Sequence, residues 1–234
     1  MIFRQLFERE SSTYTYLIGC EQTRQAVLID TVNIHVDQYL QLFAELNLTL
    51  VYTLDTHTHA DHITGAGALR TATGAQTLLG EQANSFCVSK ALHDGDEISV
   101  GKLTIKALHT PGHTDDSFCF ILEDGDQMYA FTGDTLLIRG TGRTDFQNGS
   151  AADQYHSLFD KLLALPNSTL VYPGHDYKGW TRSSIGEEKA HNPRLQVKDL
   201  AQYVALMNNL KLPNPKLMDI AVPANRACGN VQSL

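Results

Sequence analysis

The chain has 234 residues, with 26 acidic and 18 basic side chains and a formal net charge of −8. That balance argues against a nucleic-acid groove or an anionic membrane surface, both of which need clustered Lys and Arg, so a small molecule is the expected partner. The length suits one domain, 1–234, with a substantial core and a short irregular C-terminal tail from about residue 211.

The opening, Met1 to Phe7, runs directly into strand-like sequence, without the features of a signal or transit peptide. No apolar run approaches the roughly 20 residues that span a bilayer. Strands are expected at Thr13–Cys20, where Tyr14, Tyr16 and Ile18 alternate, and over Gln25–Asp30, which holds the continuous apolar run Ala26–Ile29. A helical spacing of Val36, Leu40, Phe43, Ala44 and Leu46 follows, and then a strand over Leu50–Leu54. After the polar stretch Thr56–His62, small residues from Gly65 to Arg70 suit a helix packed close to it. Short strands are expected at Gln76–Leu79, Lys102–Ala107, Phe118–Leu122 and Gln127–Thr132, with turns at Asp94-Gly95-Asp96 and Glu123-Asp124-Gly125-Asp126. Helical spacing returns at Ala152–Leu163, a strand at Thr169–Val171 and a helix at Asp199–Leu210. The chain then reads as Pro-rich and irregular from Pro213. β-rich blocks each followed by helices suggest two sheets face to face with helices outside, a four-layer αββα sandwich.

The segment Thr56-His57-Thr58-His59-Ala60-Asp61-His62 places three imidazoles and a carboxylate in seven residues. Neutral imidazole and ionised carboxylate are ligands for divalent zinc, iron and manganese, so the segment reads as a metal site. Further ligand types end other strands: His113 in Pro111-Gly112-His113-Thr114, Asp134 in Thr132-Gly133-Asp134, and His175 in Pro173-Gly174-His175-Asp176. Every candidate follows an apolar strand, so all could converge along one edge of the sandwich.

This order of motifs resembles the metallo-β-lactamase superfamily, with seven ligand-type positions matching: His57, His59, Asp61, His62, His113, Asp134 and His175. The pair Gly142-Arg143 is similar to the glyoxalase II branch. Within the superfamily the chain most resembles the persulfide dioxygenases, through Phe3–Phe7, Leu136–Phe146, Tyr172–Tyr177 with Asn192–Leu195, and Val222–Asn225. The resemblance implies the αββα fold and an iron-dependent oxidation of glutathione persulfide by dioxygen and water to sulfite and glutathione. It also implies one Fe(II) per chain, bound by His57, His113 and Asp134. A two-histidine, one-carboxylate set leaves positions open on an octahedral ion, which suits that chemistry. His59, Asp61, His62 and His175 then either hydrogen-bond the ligands or hold a second metal with Asp134 bridging. The alternative activity is a glyoxalase II-type binuclear hydrolysis of glutathione thioesters. A non-catalytic metal-binding or sulfur-carrier partner is a third reading, against which the intact ligand set speaks.

Glutathione carries two carboxylates, and Arg meets a carboxylate bidentately. Arg143, on a loop with Gly140 and Gly142 that permits close approach, is the first candidate. Arg139, Tyr172 and Arg226 follow; a solvated side chain competes for the arginines and a core ring for Tyr172. His35, His93, His109, His156 and His191 fit ordinary polar roles. The four cysteines, Cys20, Cys87, Cys119 and Cys228, contain no Cys-x-x-Cys pair, which excludes a zinc knuckle and a thioredoxin-like motif. Cys20 and Cys119 read as core thiols, Cys228 as a thiol in the irregular tail, open to exposure. A reducing, cytoplasmic setting is expected, with homo-oligomerisation and a sulfurtransferase (rhodanese) partner as accompanying expectations.

Overall fold

The computed structural model describes residues 1–212 and 217–230. Its frame is a pair of six-stranded sheets. In the first, β1 (Ile2–Phe7), β2 (Tyr14–Gly19) and β3 (Gln25–Ile29) form an antiparallel meander, which β4 (Thr49–Leu54), β5 (Gln76–Gly80) and β6 (Lys90–Leu92) extend in parallel. Parallel neighbours need a crossover, supplied by α1 (Val36–Glu45) between β3 and β4 and α2 (Ala66–Thr73) between β4 and β5. The second sheet has the order β12-β11-β10-β9-β8-β7, built from β7 (Glu97–Val100), β8 (Leu103–His109), β9 (Phe118–Asp124), β10 (Gln127–Gly133), β11 (Leu170–Pro173) and β12 (Ser183–Ser184). Among the described residues its only parallel pair is β10 with β11. The crossover between them contains α3 (Ala151–His156), which continues as a π-helical turn at Ser157–Lys161 and a 3-10 turn at Leu162–Ala164.

Each inner strand is covered on both faces, which explains why β2 and β3 read as nearly continuous apolar runs. Tyr16, Ile18, Val27, Ile29 and Leu54 face Phe118, Phe120, Leu122 and Phe131 between the sheets. The alternating residues Leu17, Ala26, Leu28 and Leu50 face outward onto Tyr39 and Phe43 of α1 and Leu69 of α2. Beneath the second sheet, Cys119 and Val171 pack on Ala151, Leu158 and Leu162, together with Tyr203 and Met207 of α5 (Leu200–Asn208). Burying each such large apolar side chain contributes about 1.5–3 kcal/mol. The expected αββα sandwich is therefore the observed one.

Two helices depart from the expectation. α4 (Ile185–His191) begins at Ser184, whose hydroxyl accepts from Glu187 N–H, so the Ser-x-x-Glu capping signal was present in the sequence. The tail read as irregular contains α6 (Met218–Arg226), although Pro223 lies inside it. Proline removes a helix hydrogen bond, but Ala221, Ala224 and Asn225 are buried, and that packing outweighs the local preference. The part of the tail at 213–216 lies outside the described residues, as does 231–234. Cys228, read as open to exposure, is buried and disulfide-bonded to Cys87, 141 residues earlier. Chain distance concealed the pair because only tertiary packing brings their segments together.

Leu54 is fully buried between the sheets and is the last residue before the polar loop that follows β4. Leu54→Ala should cost about 2–5 kcal/mol. Urea unfolding should show this as a lower midpoint at unchanged slope; a midpoint equal to wild type would contradict the packing described.

Candidate metal centre

The Thr56–His62 loop leaves β4 at the C-terminal edge of the first sheet, and hydrogen bonds from three elements fix its backbone. Asp30, at the end of β3 with a left-handed φ of 54°, accepts from Thr56 N at 2.7 Å and from Thr56 Oγ1 at 3.0 Å. Asp116 Oδ2, from the β8–β9 loop, accepts from Thr58 N at 2.9 Å. Asn225, on α6, donates through Nδ2 to the carbonyls of His59 at 2.9 Å and His62 at 2.8 Å, and accepts from Thr64 N at 2.9 Å. These polar groups are buried, so each partner removes a desolvation penalty and also restricts the loop to one conformation.

Three expected ligands converge: His57, His113 and Asp134 offer ligand atoms that lie within 4.8 Å of one another. Their neighbours decide which atoms are available. His113 Nδ1 lies 2.8 Å from the carbonyl oxygen of Arg143, which only accepts, so Nδ1 carries the proton and the Nε2 lone pair faces Asp134 Oδ2 at 3.6 Å. Thr56 Oγ1 already donates to Asp30 and therefore accepts from His57 Nδ1 at 3.0 Å, which frees His57 Nε2. Burial, reinforced by neighbouring His59 and His113, pushes the His57 pKa well below its ordinary value, holding it in the neutral form that ligates. Burial alone would raise Asp134, but the imidazoles of His175, His113 and His57 hold it below the usual carboxylate range. Gly142 packs against this pair so closely that a Cβ would lie 2.7 Å from His113 Nδ1 and 2.5 Å from the Asp134 carbonyl, which only glycine tolerates. This donor set suits a divalent metal.

The other four candidates surround the triad. His175 Nδ1 meets Asp134 Oδ1 at 2.7 Å, and its Nε2 meets Asp61 Oδ2 at 2.9 Å. Burial opposes the charge, but Asp134 and Asp61 raise the His175 pKa well above its ordinary value, so the ring donates to both. His62 Nδ1 also meets Asp61 Oδ2, at 2.9 Å. His59 Nε2 lies 3.1 Å from Asp30 Oδ1; despite burial, the Asp30 charge carries the His59 pKa up to about 9. Among the described residues, His59 Nδ1 and His62 Nε2 are buried without hydrogen-bond partners, and His59, Asp61 and His62 form a second convergent group.

The triad opens into a cavity of about 960 Å³ whose lining includes Ile138, Arg139, Arg143, Phe146, Tyr177 and Arg194. Arg143 reaches the cavity, but its guanidinium forks onto Asp145 at 2.6 and 2.8 Å and stacks over Phe146. Arg139 lines the cavity while its guanidinium pairs with Glu187 and Glu188. Two expected substrate-binding residues do not line it. Tyr172 is 4% exposed and packs on Phe3, Tyr16 and Phe131 between the sheets, where its strand register places it. Arg226 is exposed at the end of α6, away from the cavity lining. Two contributors went unanticipated although each lies in a noted block: Arg194, half-buried and bonded to Thr141, and Asn225. His109 takes the structural bond expected of it, to the Asp115 carbonyl at 2.9 Å.

A family model described as the metallo-beta-lactamase superfamily matches residues 88–175. The chain is 46% identical over 234 residues to a Homo sapiens protein named persulfide dioxygenase ETHE1, mitochondrial, covering 98% of this chain and 89% of that one. A crystal structure of ETHE1 from Myxococcus xanthus has a TM-score of 0.93 at 58% identity, covering 98% of this chain and all of that one (100%). A Schizosaccharomyces pombe protein named probable hydroxyacylglutathione hydrolase is 36% identical over 198 residues, 84% of this chain and 74% of its own.

In the metal-free chain, the pKa of His175 is above the unfolded value of about 6.5. Its stabilisation is therefore complete below that value and is lost as pH rises through the folded pKa. His59 adds a contribution of the same sign. The melting temperature of chelator-treated protein should fall as pH rises above neutrality, and His175→Gln should reduce that dependence; an unchanged slope would count against the bridging role.

Proposed function

The chain belongs to the persulfide dioxygenase family of the metallo-beta-lactamase superfamily, and from that membership we propose that it oxidises glutathione persulfide with dioxygen and water to sulfite and glutathione, using one Fe(II). The terminal sulfur rises from formal oxidation state zero to four, and its four electrons reduce dioxygen. Water supplies the third oxygen of sulfite, and the inner sulfur leaves as the thiol.

The observation that carries this reading is the convergence of His57, His113 and Asp134 with both Nδ1 atoms already engaged. Bound there, Fe(II) would supply open positions for a sulfur and dioxygen together with redox chemistry that zinc lacks. The chain's own residues prepare the site. The Arg143 carbonyl and the Thr56 hydroxyl fix the imidazole tautomers, and His175 holds Asp134 ionised. In the cavity, Arg194 has no carboxylate partner among the described residues and suits a carboxylate of glutathione; Arg143 lines the cavity too, where a substrate carboxylate would share its guanidinium with Asp145. Glu8, Glu10 and Asp176 line the cavity as well and suit its ammonium group. Leu137, Ile138 and Phe146 give the remaining wall an apolar surface.

Hydrolysis of glutathione thioesters would need Asp61, His62 and His175 to hold a second metal beside Asp134. The unpartnered His62 Nε2 favours that reading. Against it, both nitrogens of His175 are engaged, by Asp134 at 2.7 Å and Asp61 at 2.9 Å. The proposed setting is the reducing cytoplasm, with the protein as a homo-oligomer and a rhodanese-type sulfurtransferase supplying the persulfide.

Purified protein should contain about one iron per chain and consume dioxygen only with glutathione persulfide, releasing sulfite. Two zinc ions with no oxygen uptake, or hydrolysis of lactoylglutathione instead, would overturn the proposal. Asp134→Asn should abolish both iron retention and oxygen uptake. Arg194→Ala should raise KM about ten- to hundredfold with kcat largely kept, as expected for loss of a charge-assisted contact to substrate; an unchanged KM would remove Arg194 from the glutathione site.

A further inference from the structure

α6 acts on the metal loop without contributing a ligand. The Asn225 carboxamide is 4% exposed, and its three hydrogen bonds all go to the backbone of the His59–Thr64 segment. Both Nδ2 protons are used, each on a carbonyl that otherwise would be buried beside the histidines. α6 has only nine residues and contains Pro223, so its own helical preference is weak and its tertiary ties decide where Asn225 sits.

Those ties collect at its C-terminal end. The Cys228 carbonyl accepts from Gly67 N at 3.0 Å, and a Cβ on Gly67 would lie 2.4 Å from that carbonyl. Ser85 Oγ donates to the Arg226 carbonyl at 2.8 Å. The covalent tie is the Cys87–Cys228 disulfide, which anchors this end of α6 to the segment before β6. Cys228 is buried, whereas Cys87 is partly exposed and adjoins Phe86, which is 80% exposed.

We propose that Asn225 is a positioning residue for the metal loop and that the Cys87–Cys228 disulfide governs it, so that thiols in solution tune how firmly the site holds its metal. A thiolate attacks Cys87 Sγ, the sulfur–sulfur bond breaks, and Cys228 leaves as a thiolate that takes up a proton. A second thiolate releases Cys87 from the mixed disulfide, so two thiols become one disulfide while the bridge gains two electrons and two protons. In a reducing compartment, a bridge of this kind acts as a switch more than as a permanent staple. Reduction frees the end of α6, and Asn225 then holds the His59 and His62 carbonyls less tightly. The inference extends the proposed metal site, but its test reads metal release and coordination geometry, not turnover.

The experiment compares wild type with the bridge intact, confirmed by mass spectrometry after thiol blocking, and wild type reduced with a phosphine that is then removed. Each is loaded with Co(II), and metal loss to excess chelator is followed along with the visible d–d bands. Reduction should speed metal loss about tenfold and shift the bands. Cys87→Ser should match reduced wild type and ignore the phosphine. Asn225→Asp, which keeps the acceptor but removes both donors, should lose metal quickly in either redox state. Equal release rates for oxidised and reduced wild type, a Cys87→Ser protein that still responds to reductant, or the absence of a bridge in air-oxidised protein would each overturn the proposal. If Asn225→Asp fails to fold, the wild-type and Cys87→Ser comparison decides alone. A protein that retained zinc and took up no oxygen would refute the proposed activity and leave this comparison intact.

Discussion

One buried side chain bridges carboxylates from the two halves of the site. Asp61 comes from the loop after β4 in the first sheet, Asp134 and His175 from strand ends of the second, and His175 donates to both carboxylates at 2.9 and 2.7 Å. Two partly buried carboxylates on either side of a neutral ring would repel each other and raise their own pKa values. The charged imidazole instead holds both below the ordinary carboxylate range. Removing the buried imidazole would leave two partly buried carboxylates facing each other without the charge between them, so His175 ties this edge of the two sheets together.

The geometry follows from how the sandwich is wound. β8, β10 and β11 run in the same direction, and the loop after each carries one ligand-type residue: His113, Asp134 and His175. β4 brings His57 to the same edge from the opposite sheet. Because the strands are fixed by the inter-sheet core, short loops are enough to aim four side chains at one place. The carbonyl of Arg143 and the hydroxyl of Thr56 then select the tautomers, giving two imidazole lone pairs and one ionised carboxylate beside a cavity large enough for a tripeptide.

Much of this could be read from the chain because its signals are local. Alternation and apolar runs located the long strands, since strands covered on both faces need such residues at successive positions. β6, β7 and β12 went unanticipated because strands of two to four residues carry too little pattern. The tail helix was hidden by Pro223, a local signal overruled by the burial of Ala221, Ala224 and Asn225. Arg143 was anticipated at the cavity, but Asp145 and Phe146, two and three residues on, engage its guanidinium. Tyr172 is open to a substrate contact or a core ring from the sequence alone, and its place in β11 turns the ring into the core.

By itself the sequence determined the donor types and their order along the chain, and with them the αββα layering and the family, because ligand chemistry and strand periodicity are written in residues a few positions apart. Only the tertiary structure decided how the donors divide between roles. That His57, His113 and Asp134 form one convergent group while His175 bridges two carboxylates depends on distances between loops of different sheets. That Asn225 grips the metal loop and Cys228 bonds Cys87 depends on contacts across more than a hundred residues. Such contacts are selected by packing and by the cost of leaving buried polar groups unpaired, and neither leaves a periodic trace in the sequence.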